Sequence, residues 1–202
     1  MPIDFDKRLC FIHIPKTGGT TIELNLEIMN KQKNYWGIRK NEVMQHYKWN
    51  RYKDILKDDY NTFFKFCLVR NPYEKMISEY YWCNIEGIGY KSNQSFDDFI
   101  EYTRDIVTNK KYSLTIYHDH FIPQHEFLYD DNEIKVDRVF KLERIDKLFE
   151  YLVDNGYLTS VNKIKANRTI KKCVNIDNLT QKQKDTIYGI YEKDFILFNY
   201  IK

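Results

Sequence analysis

Residues 8–21 read RLCFIHIPKTGGTT, and their pattern predicts the first elements of the fold. The run from Arg8 to Ile14 is short, apolar and rich in β-branched side chains, which favours a buried strand that ends at Pro15. A helix is predicted from Thr20, because apolar residues then recur at helical spacing. These apolar residues are Ile22, Leu26 and Met29. The stretch therefore predicts a strand, a tight loop and a helix.

Two further strand and helix pairs follow along the chain. Phe63 to Val69 is typical of a second buried strand, and it precedes a helix from Pro72 to about Cys83. A third strand runs through Val136 to Phe140 and precedes a helix from about Arg144 to Val153, which ends before Asn155-Gly156. This alternation favours an α/β fold in three layers, a parallel sheet with helices on both faces. Its ligand site is expected beyond the carboxyl ends of the strands.

Short polar side chains mark the predicted helix starts. Thr20 or Thr21 can cap the first helix, with Glu23 placed for a capping box on Thr20. Asn71 can cap the second helix, where Pro72 suits the first turn and Glu74 completes a box. Ser95 can cap a helix that extends to about residue 107, and a last helix is predicted from Thr180 to Phe198. With neither repeat nor linker visible, we predict one domain over 1–202, with any substrate-side lid within 84–130.

Composition limits the classes of protein that this chain can belong to. The 202 residues are 43% hydrophobic and 30% charged, which excludes collagen-like and disordered classes. The net charge of +3 is too small for a dedicated duplex-binding domain, so we expect no nucleic-acid partner. No apolar run approaches 18 residues and no signal peptide is visible, so a cytoplasmic location without a membrane span is expected. The four cysteines lack metal-site spacing.

The loop Pro15 to Thr21 carries the strongest chemical signal. Its paired glycines allow close backbone approach to a ligand, and Lys16, the hydroxyls and the first helical N–H groups are donors that suit an anion such as a phosphate. It is not a Walker A loop, because the lysine precedes the glycines. The alternative reading is an ordinary strand-to-helix turn. A similar arrangement follows the second strand, where Arg70 and Ser78 could converge on a second phosphate.

The sequence resembles a known family at both places. FIHIPKTGGTTIE at 11–23 and FKFCLVRNPYEKMISEYYW at 64–82 are similar to the two cofactor motifs of sulfotransferases that use 3′-phosphoadenosine 5′-phosphosulfate (PAPS). The pattern resembles the carbohydrate group, sulfotransferase family 2, which includes heparan 2-O-, heparan 6-O- and chondroitin sulfotransferases and bacterial relatives. Further matches, at His46, 120–124, 139–143, 167–169 and 191–195, extend the resemblance over nearly the whole chain.

The resemblance implies a fold like that of P-loop nucleotide kinases and a set of cofactor contacts. Lys16 would contact the bridging oxygen of the phosphosulfate, and Arg70 and Ser78 would hold the 3′-phosphate. Arg168 and Thr169 lie in what looks like the late cofactor loop of the family. The residues that would surround the 5′-phosphate with backbone and hydroxyl groups are Thr17, Gly18, Gly19, Thr20 and Thr21.

The acceptor hydroxyl must lose a proton, and a neutral histidine is a suitable base at cellular pH. His46 lies between the two motifs, where the heparan sulfotransferases carry their catalytic histidine, so the resemblance favours it. His120 is the second candidate for a base or substrate contact, and Glu23 and Glu42 are acidic alternatives. His13 is expected to pack on the first strand. The pair His118 and His120 shows no third ligand in the sequence, so no metal is predicted.

The predicted function is therefore in-line transfer of a sulfuryl group from PAPS to a hydroxyl, releasing 3′-phosphoadenosine 5′-phosphate (PAP). The acceptor is expected to be a saccharide, with glycolipids and small-molecule alcohols as further candidates. Two other functions stay open. One is a phosphotransferase of the P-loop class, and the other is a non-catalytic binder of 3′-phosphoadenosine nucleotides or single-stranded RNA. The sequence does not indicate an oligomeric state.

Overall fold

The computed structural model describes residues 2–28, 38–39, 42–86, 94–112, 118–161 and 174–202. The strands are β1 (Ile3–Asp4), β2 (Leu9–Ile12), β3 (Ile38–Arg39), β4 (Glu42–Val43), β5 (Phe64–Val69), β6 (Tyr129–Asp130), β7 (Glu133–Ile134) and β8 (Arg138–Lys141). The α-helices are α1 (Gly19–Asn25), α2 (Trp49–Leu56), α3 (Pro72–Glu86), α4 (Phe96–Thr108), α5 (Ile145–Asp154) and α6 (Gln181–Leu197).

The main sheet has the strand order β1-β2-β5-β8. The three strands predicted from the sequence are mutually parallel, with Ile12 opposite Cys67 and Cys67 opposite Val139. The predicted α/β class with a parallel-rich sheet is therefore confirmed. The structure adds β1, which pairs antiparallel with β2 at the edge and which sequence reasoning missed. A two-residue strand is too short to show alternation of apolar and polar side chains.

The chain divides into two compact units, residues 1–69 with 126–167 and residues 70–125 with 168–202. The first unit contains the main sheet. On one sheet face, apolar side chains of β2 and β5 pack against Ile22 of α1 and Leu148 of α5. The buried Tyr52 of α2 donates a hydrogen bond from its hydroxyl to the Phe11 carbonyl of β2 at 3.2 Å. Each fully buried aliphatic side chain in such a core contributes about 1.5–3 kcal/mol.

The second unit is helical in its described residues. Its core is formed by α3, α4 and α6, with Ile77, Phe99 and Phe195 almost completely buried. Ser95 caps α4 in a capping box with Asp98, as the sequence predicted for the helix start. The last helix is also confirmed, although α6 contains a kink at Tyr191, where φ is −120°.

The predicted helix after β8 is confirmed as α5, and Gly156 with φ +74° lies just beyond its end. Such a left-handed residue terminates a helix at little cost when it is glycine. None of the helices in the described ranges combines the length and the apolar composition that a membrane span requires.

Candidate active site

The loop after β2 turns sharply into α1. Gly18 has φ +87° and occupies the N-cap position without giving a side-chain hydrogen bond to the helix. A Cβ atom at Gly18 would lie 2.8 Å from Leu142 Cδ1, so the leucine side chain would have to shift, and the positive φ would be strained for any residue other than glycine. Lys16 also has a left-handed backbone, with φ +64°. The loop therefore depends on glycine at the N-cap and presents backbone, rather than a capping side chain, at the helix start.

The predicted capping of α1 by Thr20 or Thr21 is wrong. The helix begins at Gly19, one residue earlier than predicted, so both threonines lie inside its first turn, where they are half-buried. Thr17 is fully buried, and its hydroxyl donates to the Ile14 carbonyl at 2.8 Å. In this arrangement, the Thr17 hydroxyl stabilises the loop itself.

Glu23 has a different role from the predicted cap box. His13 Nδ1 donates to Glu23 Oε1 at 2.6 Å. Both residues are buried, with His13 6% exposed and Glu23 0% exposed. Among the described residues, Glu23 Oε2 has no hydrogen-bond partner. The imidazole also lies against the loop, because a Cβ atom at Gly19 would be 2.2 Å from His13 Cδ2 and Nε2. His13 is therefore packed, as predicted, and it forms a buried hydrogen-bonded dyad with Glu23 directly beneath the loop.

His46 lies beside this dyad in the same unit. It ends a short 3-10 helix, Met44–His46, and its ring meets the His13 ring edge to face, with centroids 4.9 Å apart and an interplanar angle of 84°. His46 is half-buried. The structure therefore brings together three of the residues that the sequence singled out, His13, Glu23 and His46. The side chain of Glu42 lies outside the described residues.

The second motif opens α3 as predicted. The Asn71 side chain accepts a hydrogen bond from the Tyr73 N–H at 2.9 Å, which confirms Asn71 as the cap. Arg70 Nη2 donates to Glu74 Oε2 at 3.0 Å, and these side chains are 16% and 29% exposed. Ser78 follows Glu74 by four residues and is half-buried, so Glu74 and Ser78 share one face of the helix.

His120 belongs to a buried polar cluster on the inner side of α3. Its Nδ1 donates to Glu79 Oε1 at 2.8 Å, and its ring stacks on Trp82 with centroids 4.3 Å apart. Lys75 Nζ donates to the His120 carbonyl at 2.6 Å. Burial lowers the pKa of the Lys75 ammonium below its ordinary value, against the opposing effect of Glu79 and two aspartates. Both Lys75 and Glu79 are missing from the predicted site.

One signal in the sequence could have revealed this cluster. Lys75 and Glu79 are four residues apart in the predicted helix, and Cys83 follows four residues later, so the two charged residues share a helix face with a buried apolar residue. Charged residues are almost never fully buried unless they are paired, so such a pair indicates a specific partner. Arg168 and Thr169, which the resemblance placed at the phosphates, lie outside the described residues.

These features define an α/β protein in which a glycine loop follows β2 and an arginine follows the neighbouring parallel strand β5. Residues 2–201 match the model of the Sulfotransferase family. Because the match spans almost the whole chain, this protein belongs to that family and is a sulfotransferase. PAPS is generally the sulfate donor in the family. Among curated proteins and among solved structures, none matches the chain significantly.

Proposed function

We propose that this sulfotransferase moves the sulfuryl group of PAPS to a hydroxyl of an acceptor, with a saccharide as the first candidate. The observation that carries the proposal is the position of the two motifs on the sheet. β2 and β5 are parallel neighbours, so their carboxyl ends lie at the same edge. The Pro15–Thr21 loop begins three residues after β2, and Arg70 is the first residue after β5. Ligands of open α/β sheets bind beyond such strand ends.

The residues of the loop fit an anionic group. Gly18 and Gly19 leave the backbone without side chains, and the N-cap gives no side-chain hydrogen bond to the first turn. Backbone N–H groups and a lysine are the donors that bind phosphate and related oxyanions. Lys16 is half-buried in this loop. We assign the 5′-phosphosulfate to Lys16 and residues 17–21, and the 3′-phosphate to Arg70 and Ser78.

PAPS, when bound, supplies an activated sulfuryl group whose leaving group is PAP. The role of the chain is to orient the donor and to stabilise negative charge on the leaving phosphate, for which Lys16 is suited. A sulfuryl group carries less charge than a phosphoryl group, so cationic side chains and N–H dipoles can serve without magnesium. We therefore propose a reaction that requires no metal.

We propose His46 as the base that takes the proton of the acceptor hydroxyl. Support comes from its half-buried position, and from its packing on His13, which Glu23 holds. A base that is held in one orientation needs less reorganisation during the reaction. His120 is proposed as a substrate contact and as the second candidate base, because Glu79 orients its ring in the way that a carboxylate orients a catalytic histidine.

The donor assignment is tested by calorimetric titration of the whole chain with PAP, beside ADP and ATP with and without magnesium. Tight binding of PAP alone, without metal, and its loss in Arg70→Ala would support the assignment. Arg104→Ala is the matched control, because Arg104 is an exposed arginine of the same unit. Preference for ATP with magnesium would favour the phosphotransferase. Absence of nucleotide binding would contradict the proposal.

The acceptor is tested separately with PAPS that carries a radioactive sulfur. Incubation with saccharides, glycolipids and small-molecule alcohols shows which class receives the label. Label transfer to a saccharide and not to a simple alcohol supports the proposed acceptor class. Transfer to alcohols alone would support sulfuryl transfer from PAPS but contradict a saccharide as the acceptor.

A further inference from the structure

The side chain of Gln124 pairs with the backbone of Arg70. Gln124 Nε2 donates to the Arg70 carbonyl at 2.9 Å, and Gln124 Oε1 accepts from the Arg70 N–H at 2.8 Å. One amide therefore satisfies both backbone groups of one residue, as a hydrogen-bonded partner in a sheet would. Gln124 is 0% exposed, so these bonds are shielded from water. Arg70 directly follows Val69, the last residue of β5 that pairs with β8.

Gln124 is itself held by a buried carboxylate on α6. Asp194 Oδ2 accepts from the Gln124 N–H at 2.8 Å, and Asp194 Oδ1 accepts from the His125 N–H at 2.9 Å. His125 Nδ1 donates to the same Oδ1 at 2.7 Å. Asp194 is 0% exposed, and three hydrogen bonds offset the cost of burying its charge.

The backbone carbonyls of His120 and Phe121, which precede Gln124, also accept hydrogen bonds from buried side chains. Tyr191, at the kink of α6, donates from its hydroxyl to the Phe121 carbonyl at 3.2 Å. Lys75 donates to the His120 carbonyl at 2.6 Å. The two segments involved, 120–124 and 191–195, both belong to the resemblance to sulfotransferases, and apart from His120 none of their residues has a part in the proposed chemistry. The structure shows that they form one network, which ends on Arg70.

We propose that Gln124 and Asp194 are positioning residues for recognition of the 3′-phosphate, because they set the backbone from which the Arg70 guanidinium reaches its ligand. This inference rests on the proposed function, in which Arg70 holds that phosphate. The guanidinium itself is oriented by Glu74, since Arg70 Nη2 lies 3.0 Å from Glu74 Oε2. An arginine that binds a phosphate through two parallel hydrogen bonds needs a defined direction, so a displaced backbone weakens binding.

The hydrogen bonds of the network require particular side-chain atoms at Gln124 and at Asp194. Only an amide of the length of Gln124 offers one donor and one acceptor to the Arg70 backbone. Gln124→Met keeps the volume and removes both hydrogen bonds. Gln124→Glu keeps the shape but sets a carboxylate oxygen against the Arg70 carbonyl. Asp194→Asn removes one of the acceptor atoms that hold the 124–125 backbone.

The test compares PAP with adenosine 5′-monophosphate (AMP), since the two ligands differ only in the 3′-phosphate. In calorimetric titrations of the whole chain, Gln124→Met and Asp194→Asn are expected to weaken PAP binding by about tenfold or more, the effect of a lost charge-assisted contact. AMP binding should change by less than about twofold, since AMP lacks the phosphate that Arg70 holds. In an Arg70→Ala background, Gln124→Met should cause no further loss. Glu192→Gln, which removes a charge from an exposed position of α6, is the control.

Two failures are distinguishable. If the unaltered chain binds PAP and AMP equally, the 3′-phosphate site of the proposed function is wrong, and the inference is overturned with it. If the unaltered chain prefers PAP and the Gln124 and Asp194 variants keep that preference, or lose both ligands equally, only the positioning role is overturned. Thermal unfolding checks that each variant folds, and Gln124→Glu decides the outcome if Gln124→Met does not fold.

Discussion

His13 Nδ1 and Glu23 Oε1 lie 2.6 Å apart, and both side chains are buried beneath the loop that joins β2 to α1. Glu23 holds the imidazole from one side, Gly19 lies against its Cδ2 and Nε2 atoms, and His46 packs on its ring. A buried dyad thus connects the proposed phosphosulfate loop to the proposed base.

Gly19→Ala is expected to destabilise the protein and to weaken PAP binding. The new Cβ atom would lie 2.2 Å from the His13 ring, and the ring cannot retreat without leaving Glu23. Overpacking of this kind costs about 1–3 kcal/mol, measured by urea unfolding. Gly189→Ala is the control, because a Cβ atom there meets nothing within 4 Å and should stabilise α6 by about 0.5–1 kcal/mol.

A double variant separates the clash from any other effect of the substitution. In the His13→Ala background, Gly19→Ala should cost much less, because the ring that it meets is gone. Equal costs in the two backgrounds would show that the imidazole is not what limits residue 19.

Glu23→Ala is expected to cost more stability than Glu23→Gln. The alanine leaves the buried His13 N–H without its acceptor, a loss of about 1–3 kcal/mol, whereas glutamine keeps an oxygen at the same place. Urea unfolding of the two variants measures the difference. If both variants lose the same free energy of unfolding, the hydrogen bond to His13 contributes nothing.

Lys16→Ala and His46→Ala should differ in which step they impair. Each should remove most of the turnover, but only Lys16→Ala should markedly weaken PAP binding, since His46 is proposed to act on the acceptor. Steady-state kinetics with calorimetry separates the two effects. Full activity in His46→Ala would move the base elsewhere, and His120→Ala would then be the variant in which turnover is lost.

The protein is expected to lose stability steeply above pH 10. Burial raises the pKa of the Tyr52 phenol well above its ordinary value, so above about pH 10 the unfolded chain releases this proton while the folded chain keeps it. Each such group lowers the free energy of unfolding by about 1.4 kcal/mol per pH unit. Tyr52→Phe should make the slope shallower by about that amount in urea unfolding between pH 10.5 and 11.5. An unchanged slope would contradict the burial of an intact phenol.

The sequence predicted most of the elements because their signals are local. The strand before Pro15, the helix capped by Ser95 and the end of α5 before Gly156 depend on residues within one turn or one strand. It missed helix α2 and the two-residue strands, of which β1 joins the main sheet, because two residues carry no pattern of their own. It also misplaced the start of α1, since Gly18 in a left-handed conformation takes the cap position that Thr20 or Thr21 was expected to fill.

Only part of the candidate site could be predicted, because only some of its residues depend on local sequence signals. Lys16 and Arg70 follow strand ends that the sequence shows directly, so their place in the fold could be expected. The hydrogen-bond partners of the buried polar groups could not be predicted, because they lie far away along the chain. His120 meets Glu79 across 41 residues of chain, and Gln124 meets Asp194 across 70.

Local sequence patterns specified the three parallel strands, the helices that follow them, the glycine loop after β2 and the arginine after β5. The pairing of Glu23 with His13, in place of a cap on its own helix, and the contact of Gln124 with the backbone of Arg70 both depend on tertiary packing. The physical reason is burial. A polar group removed from water must find a partner among whatever groups the packed chain brings within hydrogen-bond distance, and that choice is made only when distant segments meet.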